Sequence, residues 1–244
     1  MTLWAKIRHF LSVIREKGLL LCWIIKEMEM SSKELSVFYP TRMLVWRLEE
    51  EAPQLLALCR ERGISVEDLM GLPVKRQREK AAERLLLCHA FGGPVSLRHD
   101  EQGAPSVEGS DVNISITHTM GLVALALDDT HVIGLDAESI DRPQVLRVRD
   151  KFLNDKEKQF IAPDDLAAHV IAWTAKEAVI KAERNSRIDW TDGICLEPFV
   201  PGADETALVA RCGDKRYLLT SRLVEGHYIT VALPASHQTS GEVQ

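Results

Sequence analysis

The chain has 244 residues, 45% of them hydrophobic and 27% charged. That composition excludes a disordered chain and gives core enough for one large domain or two of moderate size, at about 150 residues per domain. The net charge of −6 excludes wholesale binding to nucleic acid or to an anionic membrane, while leaving room for a local basic patch. Five scattered cysteines, Cys22, Cys59, Cys88, Cys195 and Cys212, show no C-x-x-C spacing. Neither a disulfide framework nor a structural zinc site is expected, and a reducing cytoplasm fits.

Residues 1–34 read as an amphipathic N-terminal extension, with Trp4, Ile7, Phe10, Leu11 and Ile14 at helical spacing among Lys6, Arg8, Arg15 and Lys17. The apolar run Leu19–Ile25 is too short to span a bilayer. It is followed by Lys26 and Glu27, not by a small-residue cleavage site. An extra helix on the body, a start at Met28 or Met30, and a helix on a membrane surface all stay open.

From Leu35 the pattern predicts strands over Leu35–Tyr39 and Met43–Leu48, then helices over Glu50–Arg62 and Lys75–Phe91. Gly63 stops the first, and Gly92-Gly93-Pro94 the second. Strands follow at Val95–Arg98, Val112–Thr117 and Leu122–Leu127, the last two as a hairpin through Thr119-Met120-Gly121. Val132–Glu138 is a further strand. Helical segments are expected around Val145–Phe152, Asp155–Ile161 and Asp165–Arg184. Strands close the chain at Gly193–Leu196, Thr206–Arg211, Tyr217–Val224 and Tyr228–Leu233, before a polar tail over 236–244. Two parts of similar content emerge, 35–129 and 130–235, without residue-level self-similarity.

Four constellations carry chemistry. On the strand Ile133-Gly134-Leu135-Asp136-Ala137-Glu138, alternation sends Ile133, Leu135 and Ala137 to a core and sets Asp136 and Glu138 on the opposite face. Two carboxylates side by side call for a cation, and an all-oxygen pair suits magnesium. Gly134 on their face would let a bulky ligand approach the backbone. The bland alternative is a solvated strand edge. On the Asp165–Arg184 helix, Ile171, Ala175, Ala178 and Ala182 form a buried stripe. Trp173, Glu177 and Lys181 share another face, so Glu177 could add a third carboxylate and Lys181 could reach a phosphate. A plain Glu177–Lys181 surface pair is the bland reading.

On the Lys75–Phe91 helix, Arg76, Lys80 and Arg84 form a stripe at i, i+4 and i+8, either a phosphate surface or a solvated face. The interleaved Glu79 and Glu83 and the lack of aromatics speak against nucleic acid. Last, Ser115-Ile116-Thr117-His118-Thr119 ends a strand in hydroxyls and an imidazole, with no Gly-x-Ser-x-Gly elbow to make a triad.

In order and spacing these motifs, with Phe152-Leu153, Glu157 and Trp173-Thr174-Ala175-Lys176-Glu177 between and after them, resemble the 4′-phosphopantetheinyl transferases of the surfactin-synthetase-activating type. The resemblance covers roughly Leu35–Leu233. It implies an α+β fold of two tandem similar halves related by pseudo-twofold symmetry, with a ligand cleft between them. It also implies a monomer that transfers the 4′-phosphopantetheine group of coenzyme A to a serine of an apo acyl or peptidyl carrier protein and releases adenosine 3′,5′-bisphosphate. By resemblance, Asp136, Glu138 and Glu177 hold Mg2+ (or Mn2+), and Glu177 is the base. Lys181 binds phosphate and assists the leaving oxygen, while Thr117, His118, Arg76 and Arg84 contact the coenzyme, His118 at its 3′-phosphate. The chain departs from the family pattern where Gly103-Ala104-Pro105 replaces Gly-Lys-Pro, Lys80 replaces an aromatic, Ala137 replaces Ile and Thr117 replaces Ser. Two other readings are a catalytically silent module that binds carrier protein or coenzyme A, and an unrelated magnesium-dependent phosphotransferase or nuclease. Against the latter, the chain has no Gly-x-x-x-x-Gly-Lys loop and no basic excess.

Overall fold

The structure is a computed structural model that describes residues 32–38 and 41–235, so the expectations for residues 1–30 and 236–244 lie outside the described residues. The first part holds β1 (Ser32–Phe38), β2 (Thr41–Arg47), α1 (Ala52–Glu61) and α2 (Val74–Phe91). A small pair, β3 (Leu97–His99) and β4 (Pro105–Val107), precedes the hairpin of β5 (Asn113–Thr119) and β6 (Leu122–Asp128). The second part holds β7 (Gly134–Ser139), the short helices α3 (Gln144–Arg147) and α4 (Glu157–Phe160), and the long α5 (Leu166–Glu183). It closes on β8 (Ile194–Leu196), β9 (Glu205–Cys212), β10 (Lys215–Val224) and β11 (His227–Pro234). The fold is mixed α+β.

The strand orders are β1-β2-β6-β5 in one sheet and β7-β11-β10-β9-β8 in the other. In each, an opening strand leads through helices to an antiparallel hairpin and pairs antiparallel with that hairpin's last strand: β2 with β6, β7 with β11. The long helices α2 and α5 both run 18 residues. The β10–β11 turn is Glu225-Gly226, both at positive φ (49° and 73°), the left-handed geometry that matches the twist of a two-residue hairpin.

One core joins the sheets. Met43 and Val45 of β2 and Leu122, Ala124 and Ala126 of β6 pack with Ile133, Leu135 and Ala137 and with Ile229, Val231 and Leu233 of β11. The expected alternation along β7 is therefore met on its apolar side. β6 is buried along its whole length and so reads as a continuous apolar run. A second core wraps α5 with Phe152, Leu153, Ile194, Leu208, Ala210 and Leu219.

Two helices fall short of their expected spans. The segment expected as Val145–Phe152 is helical only to Arg147, then tightens into a 3-10 turn at Arg149–Lys151. Packing overrides propensity there: Phe152 is fully buried and meets Trp173 edge-on, its ring centroid 5.3 Å away. The segment expected as Asp155–Ile161 is helical over Glu157–Phe160 alone, after a turn in which the Asn154 side chain accepts from the amides of Lys156 and Glu157. The β3–β4 pair continues past the expected strand: Asp100 accepts from the amides of Gln102 and Ala104, turning the chain back on itself.

Candidate active site

α5 starts where Asp165 caps it by accepting from the Ala168 amide at 2.9 Å. Its stripe Ile171, Ala175, Ala178 and Ala182 is buried as expected. The helix lies so close to β7 that a Cβ on Gly134 would stand 1.7 Å from the Ala178 carbonyl oxygen. The space over Gly134 thus belongs to α5, not to a ligand as its face had suggested. The close approach brings Glu177 and Lys181 over the acidic face of β7. Lys176, the residue before Glu177, is fully buried, and its ammonium donates to Glu157 Oε2 (2.7 Å) and to the carbonyls of Trp190 (2.7 Å) and Ile194 (2.8 Å). Glu157 is buried too and also accepts from the Leu196 amide at 2.7 Å. This fully satisfied pair pins α5 against α4 and β8.

β5 runs beside β7 and binds it through hydroxyls. Ser115 Oγ accepts from the Leu135 amide (2.9 Å), Thr117 Oγ1 donates to Asp136 Oδ1 (3.1 Å), and Thr119 Oγ1 donates to Glu138 Oε1 (3.0 Å). Residues 115, 117 and 119 share one side of the strand by the period of two, so three hydroxyls set the register of the seam. Thr117 therefore holds Asp136 in this structure, a role its sequence position had not suggested.

Each acid also has a cation. Lys181 donates to Asp136 Oδ1 and to the Leu135 carbonyl, both at 2.8 Å, so it pairs with β7 and not with Glu177. Arg142 makes an ion pair with Glu138, and its guanidinium carbon stands 5.7 Å from the Trp173 ring centroid. Glu177 has no side-chain hydrogen bond or ion pair among the described residues. Its carboxyl is pushed above the usual carboxylate range by burial first and the neighbouring Asp136 charge second, against the pull of Lys181.

Beside the seam opens a cleft of about 620 Å³ lined by residues of both parts, among them Lys75, Arg76, Glu79, His118, Glu138 and Arg142. Arg76 Nη1 donates to Glu79 at 3.0 Å and stands 3.2 Å from His118 Nε2. Burial holds His118 below its ordinary range, helped by Arg76 and Lys80 and opposed by Glu79 and Glu83. The α2 stripe does not act as one surface. Lys80 and Arg84 line a second cavity of about 640 Å³, where Lys80 pairs with buried Glu83 and Arg84 grips both oxygens of Asp68 (2.9 and 2.6 Å). Arg84 is thus not brought together with Arg76 and His118.

The acidic residues fit a divalent cation in their chemistry. They are hard carboxylate oxygens, and a dication beside Asp136 and Glu177 would reverse the repulsion that raises Glu177. Among the described residues no group of three His, Cys, Asp or Glu is gathered around one point, since Lys181 and Arg142 hold Asp136 and Glu138. Magnesium commonly takes only one or two protein carboxylates, and Asp136 with Glu177 supplies two.

Residues 132–231 match the 4′-phosphopantetheinyl transferase superfamily. The matched span includes Asp136, Glu138, Glu177 and Lys181 and stops short of Arg76, Arg84, Thr117 and His118. No curated protein matches the chain. Among the described residues no helix is long and apolar enough to cross a membrane.

Proposed function

We propose that the chain is a 4′-phosphopantetheinyl transferase of the two-half, surfactin-synthetase-activating type. It moves the phosphopantetheine arm of coenzyme A to a serine hydroxyl of an apo acyl or peptidyl carrier protein and releases adenosine 3′,5′-bisphosphate. Residues 35–129 and 130–235 are its halves, related by a pseudo-twofold axis. The connectivity shared by β2-β6-β5 and β7-β11-β10, each with an 18-residue helix, supports that division. The enzyme works in the cytoplasm as a monomer.

One observation carries the reading: Glu138 of the acidic face of β7, inside the matched span, lines a cleft shared with Lys75, Arg76, His118 and Arg142 as well as Glu79 and Asp141. A pyrophosphate needs cations such as Lys75, Arg76 and Arg142, and a serine nucleophile needs a carboxylate within reach. Arg76 and His118 hold the coenzyme's phosphate, with His118 on the 3′-phosphate. Arg84, about two turns beyond Arg76 on α2, meets the coenzyme only from the second cavity. Glu177 accepts the serine proton, directly or through a water. Lys181 donates to the departing phosphate oxygen, and Thr117 keeps Asp136 aimed. Asp136 and Glu177, and Glu138 if it gave up Arg142, would hold Mg2+ or Mn2+, which would supply positive charge against the pyrophosphate.

The test is intact-mass spectrometry of several apo carrier proteins incubated with the chain, coenzyme A and magnesium. A gain of one phosphopantetheine arm, lost in EDTA, is expected. No gain on a carrier that binds the chain, with coenzyme A bound as well, would contradict the transferase and leave the silent module.

A further inference from the structure

Glu79 is absent from the roles above, yet the cationic wall is built around it. It is 5% exposed on α2. Its Oε2 accepts from Arg76 and stands 3.7 Å from His118 Nδ1, while Lys75 Nζ lies 3.8 Å from Oε1. One buried carboxylate thus faces two cations and an imidazole from two elements. The guanidinium of Arg76 has only donors, so the 3.2 Å contact to His118 Nε2 makes that nitrogen an acceptor. The ring proton then sits on Nδ1, facing Glu79. The imidazole is a half-buried base whose Nε2 lone pair accepts from Arg76 at the cleft.

We propose that Glu79 is a positioning residue whose charge, 3.7 Å from Nδ1, keeps the ring proton of His118 on that nitrogen, so that a phosphate monoester enters the cleft together with one proton taken up at Nε2. The inference rests on the coenzyme reading and names how its phosphate is received. The proton comes from solvent and bonds to Nε2. The imidazolium then donates Nε2–H to a phosphate oxygen, and Arg76 turns from the ring nitrogen to the same phosphate. Before the phosphate arrives, a charged ring would stand against Arg76 in a half-buried place, so the neutral form is kept. Afterwards the dianion outweighs Arg76 and the ring charges. The groups facing His118 are Arg76, Glu79, Lys80 and Glu83 on α2, and Lys75, Glu138, Asp141 and Arg142 line the same cleft.

The experiment is calorimetry of coenzyme A and of 3′-dephospho-coenzyme A in EDTA, near neutral pH, in two buffers of different ionisation enthalpy. The wild-type chain is expected to take up part of one proton with coenzyme A and little with the dephospho form. Glu79→Gln is expected to lose that uptake and to weaken coenzyme A about tenfold, the loss of one charge beside a half-buried imidazolium, while changing the dephospho form far less. Unchanged uptake and affinity in Glu79→Gln would overturn the proposal. A second readout needs no variant: nitrogen NMR of His118 in the wild-type chain should show Nδ1 protonated and Nε2 bare, then both protonated with coenzyme A. The opposite tautomer in the free chain would overturn it as well. Failure of the wild-type chain to bind coenzyme A at all would overturn the coenzyme reading itself, which is distinct from binding without the proton.

Discussion

The two long helices have the same length and opposite electrical design. α2 turns its acids inward, with Glu79 and Glu83 each 5% exposed, and lifts Lys75 and Arg76 to the cleft. α5 buries its base, Lys176, and carries Glu177 out over the acids of β7. On α2 the buried Glu79 fixes Arg76 beside the cleft, whereas on α5 the buried Lys176 pairs with Glu157 and leaves Glu177 without a partner; each buried charge carries a desolvation cost that only complete pairing offsets. In the proposed reading the first helix grips phosphate and the second moves a proton.

That contrast can be broken from the α5 side first. Glu177→Gln should cut carrier modification about 10²- to 10⁴-fold, the usual worth of a general base, measured as initial rate by mass spectrometry. The same change should relieve the metal-free fold. A carboxyl whose folded pKa is raised binds its proton more tightly when folded, so stability declines as pH rises from the ordinary carboxylate pKa through the raised one. Thermal melts in EDTA should show that decline in the wild-type chain and a flatter profile in Glu177→Gln.

Next in size, Lys176→Met leaves Glu157 buried without its partner and should cost about 3–5 kcal/mol in denaturant unfolding. A loss near zero would mean that the pair does not pin α5. Gly134→Ala sets a Cβ against the Ala178 carbonyl, and pushing α5 off β7 should cost about 1–3 kcal/mol. Its transfer rate should fall by more than its stability implies, because Glu177 moves with the helix. On the α2 side the effect is smallest and most selective. His118→Ala should weaken coenzyme A about tenfold and 3′-dephospho-coenzyme A far less, and equal losses would remove the phosphate contact.

The sequence disclosed what local periodicity controls. The split of β7 into an apolar and an acidic side and the buried alanine stripe of α5 follow from periods of 2 and 3.6, and both are in the structure. It concealed what depends on partners far along the chain. Glu79 and Glu83 read as part of a solvated charge run, since nothing local says that the face bearing them is covered. Thr117 read as a coenzyme contact because its bond to Asp136 needs β5 and β7 side by side. The hydroxyls at 115, 117 and 119 were a signal available in advance: three on one side of a strand suggest a seam bound by side chains. Gly134 shows the same limit, its empty place being filled by a helix some 44 residues downstream at Ala178.

The division of labour between the two helices is tested most directly by titrating coenzyme A into Glu177→Gln in EDTA. Affinity close to that of the wild-type chain, with transfer to carrier protein lost, is the predicted result. Loss of coenzyme affinity together with transfer would contradict it, placing Glu177 in the binding wall with Arg76 and His118.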